Sequence, residues 1–148
     1  MGGGGGTLFS LSYVSQATQR DPATLRVEAA LIAAASAALN AEAGVTGALA
    51  VGDGWFAQVI EGPRLAVLDT FDRILRDRRH TEIRLLAFHP IAQRRFAAWS
   101  MGFSGELAPG LLQGAAVEHA RQEGGGASDI VQRGQAIILA LAARVGPA

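Results

Sequence analysis

Residues 7–14 (TLFSLSYV) set Leu8, Phe9, Leu11 and Tyr13 among small polar side chains, the pattern of a half-buried strand. Asp21-Pro22 then reads as a helix start, because proline suits the first helical turn. Leu25, Val27, Ala30, Leu31, Ala34, Ala35, Ala38 and Leu39 recur at helical spacing up to Asn40, a residue type that tolerates a left-handed cap. Residues 45–51 (VTGALAV) and 55–60 (WFAQVI) flank Gly52-Asp53-Gly54, a hairpin signal. Glu61-Gly62-Pro63 breaks the second of these strands. Val67, Leu68, Phe71, Ile74 and Leu75 then mark a second amphipathic helix, with Arg76, Arg78 and Arg79 in its last turn. Residues 82–88 (EIRLLAF) and 96–103 (FAAWSMGF) read as a fourth and a fifth strand.

The predicted order β-α-β-β-α-β-β, with helices long enough to cross one face of a sheet, is that of a ferredoxin-like α+β sandwich. Beyond Pro109, residues 111–121 and 128–144 read as two additional C-terminal helices separated by Gly124-Gly125-Gly126, with Ser128 or Asp129 as caps. The second is strongly apolar, so it needs a surface to cover, either the open face of the sheet or a partner subunit. The expected organisation is a flexible glycine tail (1–6), one folded domain (7–103) and a helical appendage (104–148). The glycine run precedes a strand instead of following one, which argues against a phosphate loop.

At 148 residues with 49% apolar and 18% charged side chains, the chain suits one globular domain. Every basic residue is arginine, and the 13 arginines balance 13 acids, which argues against a general electrostatic grip on nucleic acid or an anionic membrane. The absence of cysteine excludes disulfides, thiol nucleophiles and thiolate metal sites. Charge or glycine interrupts the apolar stretches and no leader pattern opens the chain, so the expectation is a soluble, cytoplasmic protein.

Candidate chemistry is sparse. His80 closes the second helix, His89 precedes Pro90 and His119 lies in the appendage, too scattered for a metal site or triad. Asp69, Asp72 and Asp77 alternate with arginines as a solvated ion-pair face would. Arg76, Arg78 and Arg79, or Arg94-Arg95, could take a phosphate or an acidic partner. More telling are single-copy residues: Tyr13 is the only tyrosine, Asn40 the only asparagine, and Gln58 is an amide in an apolar strand. Alternation lets Tyr13 and Gln58 project on one sheet face, where phenol and amide have complementary donors and acceptors. That leaves two readings open, a polar ligand pocket or a packed and capped fold in which Trp99 and Met101 fill core.

The segments LFSLSYVSQAT (8–18), SAALNAEAGVTGAL (36–49), FAQVIEGP (56–63), FDRILRDRRH (71–80) and PIAQRRFAAWSMGF (90–103) resemble, in order and at ordinary spacing, the BLUF domain family, blue-light sensors that use a flavin. The resemblance covers most of residues 7–103. It implies a flavin cofactor, FAD first with FMN or riboflavin as alternatives, and no enzyme activity. Carried over, Tyr13 is the photoactive phenol, from which light drives a reversible electron and proton transfer. Gln58 is the amide between Tyr13 and the flavin N5/O4 edge, its hydrogen bonds rearranging to give a small reversible red shift. Asn40 hydrogen-bonds a ring carbonyl and ring nitrogen, Arg73 and Asp77 lie along the other polar edge, and Ser36 assists. Trp99 and Met101 sit in the fifth strand near Gln58, where signal leaves. Leu39 departs from the family, whose members often carry a polar residue there. The resemblance further implies output to a separate signalling protein and assembly into a homo-oligomer, while the balanced charge and interrupted apolar stretches give the expectation of no nucleic acid and no membrane as partners. The alternatives are a flavin-free interaction module on the same fold and, more remotely, a flavin oxidoreductase or acylphosphatase-like hydrolase. The latter's glycine-rich arginine loop is not found in the sequence.

Overall fold

The computed structural model describes residues 6–52 and 54–106. They form β1 (Leu8–Ala17), α1 (Pro22–Ala43), β2 (Thr46–Gly52), β3 (Trp55–Pro63), α2 (Arg64–Leu75), β4 (His80–Ile91) and β5 (Gly102–Glu106). The strands make one 5-stranded sheet in the order β4-β1-β3-β2-β5, antiparallel except for the parallel β2–β5 edge. This is the ferredoxin-like arrangement with one strand added beside β2. The expected C-terminal helices, with His119, and most of the glycine tail lie outside the described residues.

α1 starts where expected: the Asp21 carboxylate accepts from the Thr24 N–H at 2.9 Å, and proline stands in the first turn. Its end differs. The helix runs to Ala43 and is closed by Gly44 at φ 73°, so Asn40 is an interior residue and not the left-handed cap. Glycine takes that conformation without the Cβ clash that asparagine must bear, which frees Asn40 to turn inward. α1 is also long and apolar enough, by length and composition, to cross a membrane. Reading large apolar runs misses this because much of the helix is alanine. Here Leu25, Ala29 and Ala33 enter the core against the sheet.

α2 ends at Leu75, capped by Arg76, so Arg78 and Arg79 lie beyond the helix and His80 opens β4. The bonding that a terminal histidine would give a helix survives in another form, since His80 Nε2 donates to the Ile74 carbonyl at 2.8 Å. β4 is longer than the expected 82–88, and Pro90 is tolerated because β4 is an edge strand. The largest correction concerns the fifth strand. β5 begins at Gly102 and continues to Glu106, past the expected limit at residue 103, while residues 96–101 are irregular. Their apolar character imitates a strand because the segment crosses from one sheet edge to the other and buries Phe96 and Met101 on the way.

Alternation divides the sheet side chains into two cores. Leu11, Tyr13, Leu49, Val51, Phe56, Ile60 and Met101 pack on the helix side, and Val14, Ala48, Ala50, Ala57, Val59, Leu86 and Phe96 cluster on the other. Tyr13 and Gln58 therefore arrive on the helix face, directly opposite each other on β1 and β3.

Candidate functional site

Tyr13 and Gln58 are 3% and 4% exposed, and the Tyr13 hydroxyl donates a hydrogen bond to Gln58 Oε1. With Oε1 so engaged, the amide Nε2 faces Met101 Sδ at 3.5 Å. A phenol, an amide and a thioether thus form a chain of contacts beneath the helices. Phe71 and His80 flank the Tyr13 ring, with centroids 5.7 and 6.0 Å away.

These contacts border a cleft between α1, α2 and the sheet. Ile32, Ser36, Leu39 and Asn40 line it from one face of α1, and Thr70, Arg73 and Ile74 from α2, with Asp77 just beyond that helix. Both sets repeat at spacings of three and four residues, so each belongs to one helical face. Phe56, Arg79 and His80 complete the wall.

Asn40 is 1% exposed; its Nδ2 donates to the Ser100 carbonyl at 3.0 Å, and its Oδ1 has no hydrogen-bond partner among the described residues. Asp77 is gripped by Arg79, Nε to Oδ1 at 2.9 Å and Nη2 to Oδ2 at 2.5 Å, and that hydrogen bonding holds its carboxyl below the ordinary range. His80 is fixed at both nitrogens. Nε2 must donate to the Ile74 carbonyl, so in the neutral ring Nδ1 accepts from Ser15 Oγ at 2.7 Å.

Burial pushes the Tyr13 phenol well above its ordinary 10.0, and the negative charge of Asp77 pushes the same way. The fold therefore keeps a neutral phenol. The unfolded chain releases this proton near pH 10 while the folded chain holds it, so this group makes stability fall as pH rises past about 10. Because Tyr13 is the only tyrosine, the test is clean. In an alkaline titration, phenolate absorbance is expected only together with unfolding; phenolate in a still-folded protein would contradict the buried state.

The structure brings Tyr13, Ser36, Asn40, Gln58, Arg73 and Asp77 to one cleft, and Met101 to Gln58. It does not bring Trp99 there. Trp99 packs on the other sheet face beside Phe96, ring centroids 6.4 Å apart, and both it and Met101 precede the fifth strand. His80, set aside in the sequence as a helix-closing residue, lines the cleft too, and Ile32, Phe56 and Thr70 do so without having stood out there. Their signal was helical spacing from Ser36 and Arg73, and strand alternation from Gln58. Of the arginines considered for an acidic partner, Arg76 pairs with Asp72 and Arg79 with Asp77, while Arg94 is bonded within the fold.

A family model described as sensors of blue light using FAD matches residues 8–102. The photoactivated adenylate cyclase subunit beta of Euglena longa is 34% identical over 99 residues, which is 66% of this chain and 11% of that protein. Subunit alpha from Euglena gracilis is 35% identical over 98 residues, 66% of this chain and 9% of that one. This chain thus spans about a tenth of the length of these curated relatives. Among solved structures, the dark state of BlrB, a BLUF protein, is 34% identical with a TM-score of 0.62, covering 92% of this chain and 98% of that one. A bacterial light-regulated adenylyl cyclase is 27% identical with a TM-score of 0.66, covering 86% of this chain and 40% of that one. With the fold, the motifs and the family model in agreement over residues 8–102, the chain belongs to the BLUF family of blue-light sensors, whose cofactor is the flavin FAD.

Proposed function

We propose that the cleft between α1 and α2 is this chain's flavin site, and that Tyr13 and Gln58 form a light-driven hydrogen-bond switch beside it. The reading rests on one observation: a buried phenol and amide share a hydrogen bond at the wall of a cleft that Asn40 also lines, its buried Oδ1 unpaired among the described residues. A buried acceptor without a donor costs about 1–3 kcal/mol. A flavin ring meets that need, because its polar edge alternates carbonyl acceptors with an N–H donor. When bound, the ring supplies blue-light absorption and strong oxidising power in its excited state.

Asn40 would take the ring N–H on Oδ1 and still have one Nδ2 hydrogen for a ring carbonyl. Arg73 would donate along the same polar edge near Asp77, with Ser36 assisting, and Ile32, Leu39 and Ile74 would supply the apolar walls. Leu39 contributes no polar contact.

Tyr13 Oη is the proton source and Gln58 Oε1 the receiver. The phenol would give up an electron with that proton, the bound flavin in its excited state being the oxidant, and would recover both before the cycle ends. The amide can then rest in a second orientation. Turned end for end, it presents Nε2 to Tyr13, whose oxygen must now accept, and a carbonyl oxygen to Met101 Sδ, which loses its N–H. The change is written into the contacts of Tyr13 and Met101 with no lasting covalent bond. On this reading the chain turns over no substrate of its own, and its output passes through residues 104–148 or an oligomer to a separate signalling protein.

The test is the visible spectrum of the full chain in the dark, under blue light and during recovery. A flavin band that shifts red and relaxes supports the reading. A chain that stays colourless after FAD is added would favour the flavin-free interaction module, and a bound flavin that never shifts would favour redox chemistry. Asn40→Ala is expected to weaken FAD binding about tenfold, or about 1.4 kcal/mol, as measured by fluorescence titration.

A further inference from the structure

The Glu61 carboxylate takes no part in the switch, yet Glu61 is only 1% exposed. A buried carboxylate is tolerated when its lone pairs meet donors, and two of its three donors come from one place. Oε1 accepts from the Phe96 backbone N–H at 2.9 Å and from Thr46 Oγ1 at 3.0 Å, and Oε2 accepts from the Arg95 N–H at 2.7 Å. Arg94 reinforces the grip. Its Nη1 donates to Thr46 Oγ1 at 3.0 Å and to the Glu61 carbonyl at 3.2 Å, and its Nη2 donates to the Gly44 carbonyl at 2.8 Å.

Residues 94–96 open the crossover that leaves β4 at one sheet edge for β5 at the other. The far end of the crossover is held differently. The Trp99 carbonyl accepts from the Gly47 N–H at 3.1 Å, the Ser100 carbonyl from Asn40 Nδ2 at 3.0 Å, and Met101 Sδ from Gln58 Nε2 at 3.5 Å. Asn40 and Gln58 line the cleft. The crossover is therefore fastened upstream by a buried carboxylate and downstream by cleft amides. Only a short turn lies between, closed by the Trp99 N–H on the Phe96 carbonyl at 3.0 Å, with Phe96 itself fully buried.

A segment with one fixed and one releasable end has two defined arrangements, and a ligand or switch can bias such an element. With both ends loose, the movement of the Gln58 amide would be dissipated. We propose that Glu61 is the fixed end, a positioning residue that acts through the 94–96 backbone to hold Met101 against Gln58 and pass rearrangement of the amide to residues 99–101. The proposal rests on the switch described under Proposed function. Glu61 lies three positions from Gln58 on β3, so it projects from the opposite sheet face and does not line the cleft. A carboxylate suits the task because both oxygens accept; glutamine would turn an N–H toward one of two backbone N–H groups.

The experiment uses the full chain loaded with FAD, as wild type, Glu61→Gln and Thr46→Val. The readouts are the flavin spectrum and amide hydrogen exchange over residues 97–101, each in the dark and under blue light. Glu61→Gln is expected to keep FAD and the full red shift, while dark exchange over 97–101 rises about tenfold or more and no longer responds to light. Thr46→Val, which keeps the carboxylate, is expected to change exchange in the same direction and less. Dark exchange within about twofold of wild type, with its light response intact, would overturn the proposal. Should Glu61→Gln not fold, Thr46→Val decides by the same criterion. A wild type that holds FAD and never shifts overturns the switch itself, and the dark exchange then still upholds or overturns the anchoring role of Glu61.

Discussion

Tyr13→Phe is expected to bind FAD about as well as the wild type and to lose the blue-light red shift entirely. The substitution removes one oxygen and little volume. The ring keeps its packing against Phe71 and His80, so the wall of the cleft survives. What disappears is the group that donates to Gln58 Oε1. Without it no proton can pass to the amide, and the amide has no polar partner on that side to distinguish its two orientations. A cost of about 1–3 kcal/mol accompanies the unpaired Gln58 oxygen, so melting should fall modestly while the dark flavin band persists. Gln58→Leu should abolish the same shift by removing the receiver. The check is the light-minus-dark difference spectrum of each variant; a wild-type-sized shift in Tyr13→Phe would sink the assignment of the phenol.

That pair was legible as far as alternation goes, since a strand of period two lets Tyr13 and Gln58 project on one face. The hairpin turn fixes β2 against β3 and not β1 against β3, so their direct opposition comes from the sheet pairing. Asn40 was harder. Its residue type suits a helix end, but Gly44 takes the left-handed position more cheaply, and Asn40 continues the buried stripe of Leu25, Ala29 and Ala33. The stripe was visible, and the intrinsic preference of the residue obscured it. Residues 96–101 were misread for the opposite reason. Phe96 and Trp99, three positions apart, pack in the same core, which no strand period of two explains. Only the sheet order makes sense of them, since a crossover must pass three strands to reach the far edge, and long-range order of that kind is not carried by local pattern. The carboxylate of Glu61 was hidden likewise, because its partners are backbone N–H groups more than thirty residues away.

Gly47→Ala is expected to be the most destabilising small substitution in the sheet. A Cβ at this position would enter the carbonyl oxygen of Val59 and come within 3.1 Å of its carbon and 3.2 Å of Ile60 Cα. All three are main-chain atoms of the paired strand, so no rotamer can give way, and β2 must move off β3. The same displacement draws the Gly47 N–H from the Trp99 carbonyl, loosening the crossover near Met101. Forced overpacking of this kind costs about 3 kcal/mol, which for a domain of this size lowers Tm by about 12 °C or more. Gly44→Ala is the contrast. There a Cβ meets nothing within 4 Å, and the cost is only that of holding alanine at φ 73°, about 1 kcal/mol. Thermal melts of the two variants separate the mechanisms: Gly47→Ala should fall much further, and any of it that stays folded should show faster exchange over residues 99–101, which Gly44→Ala should leave unchanged. Equal losses in the two would mean that backbone conformation, and not the closeness of β2 to β3, is what glycine supplies at position 47.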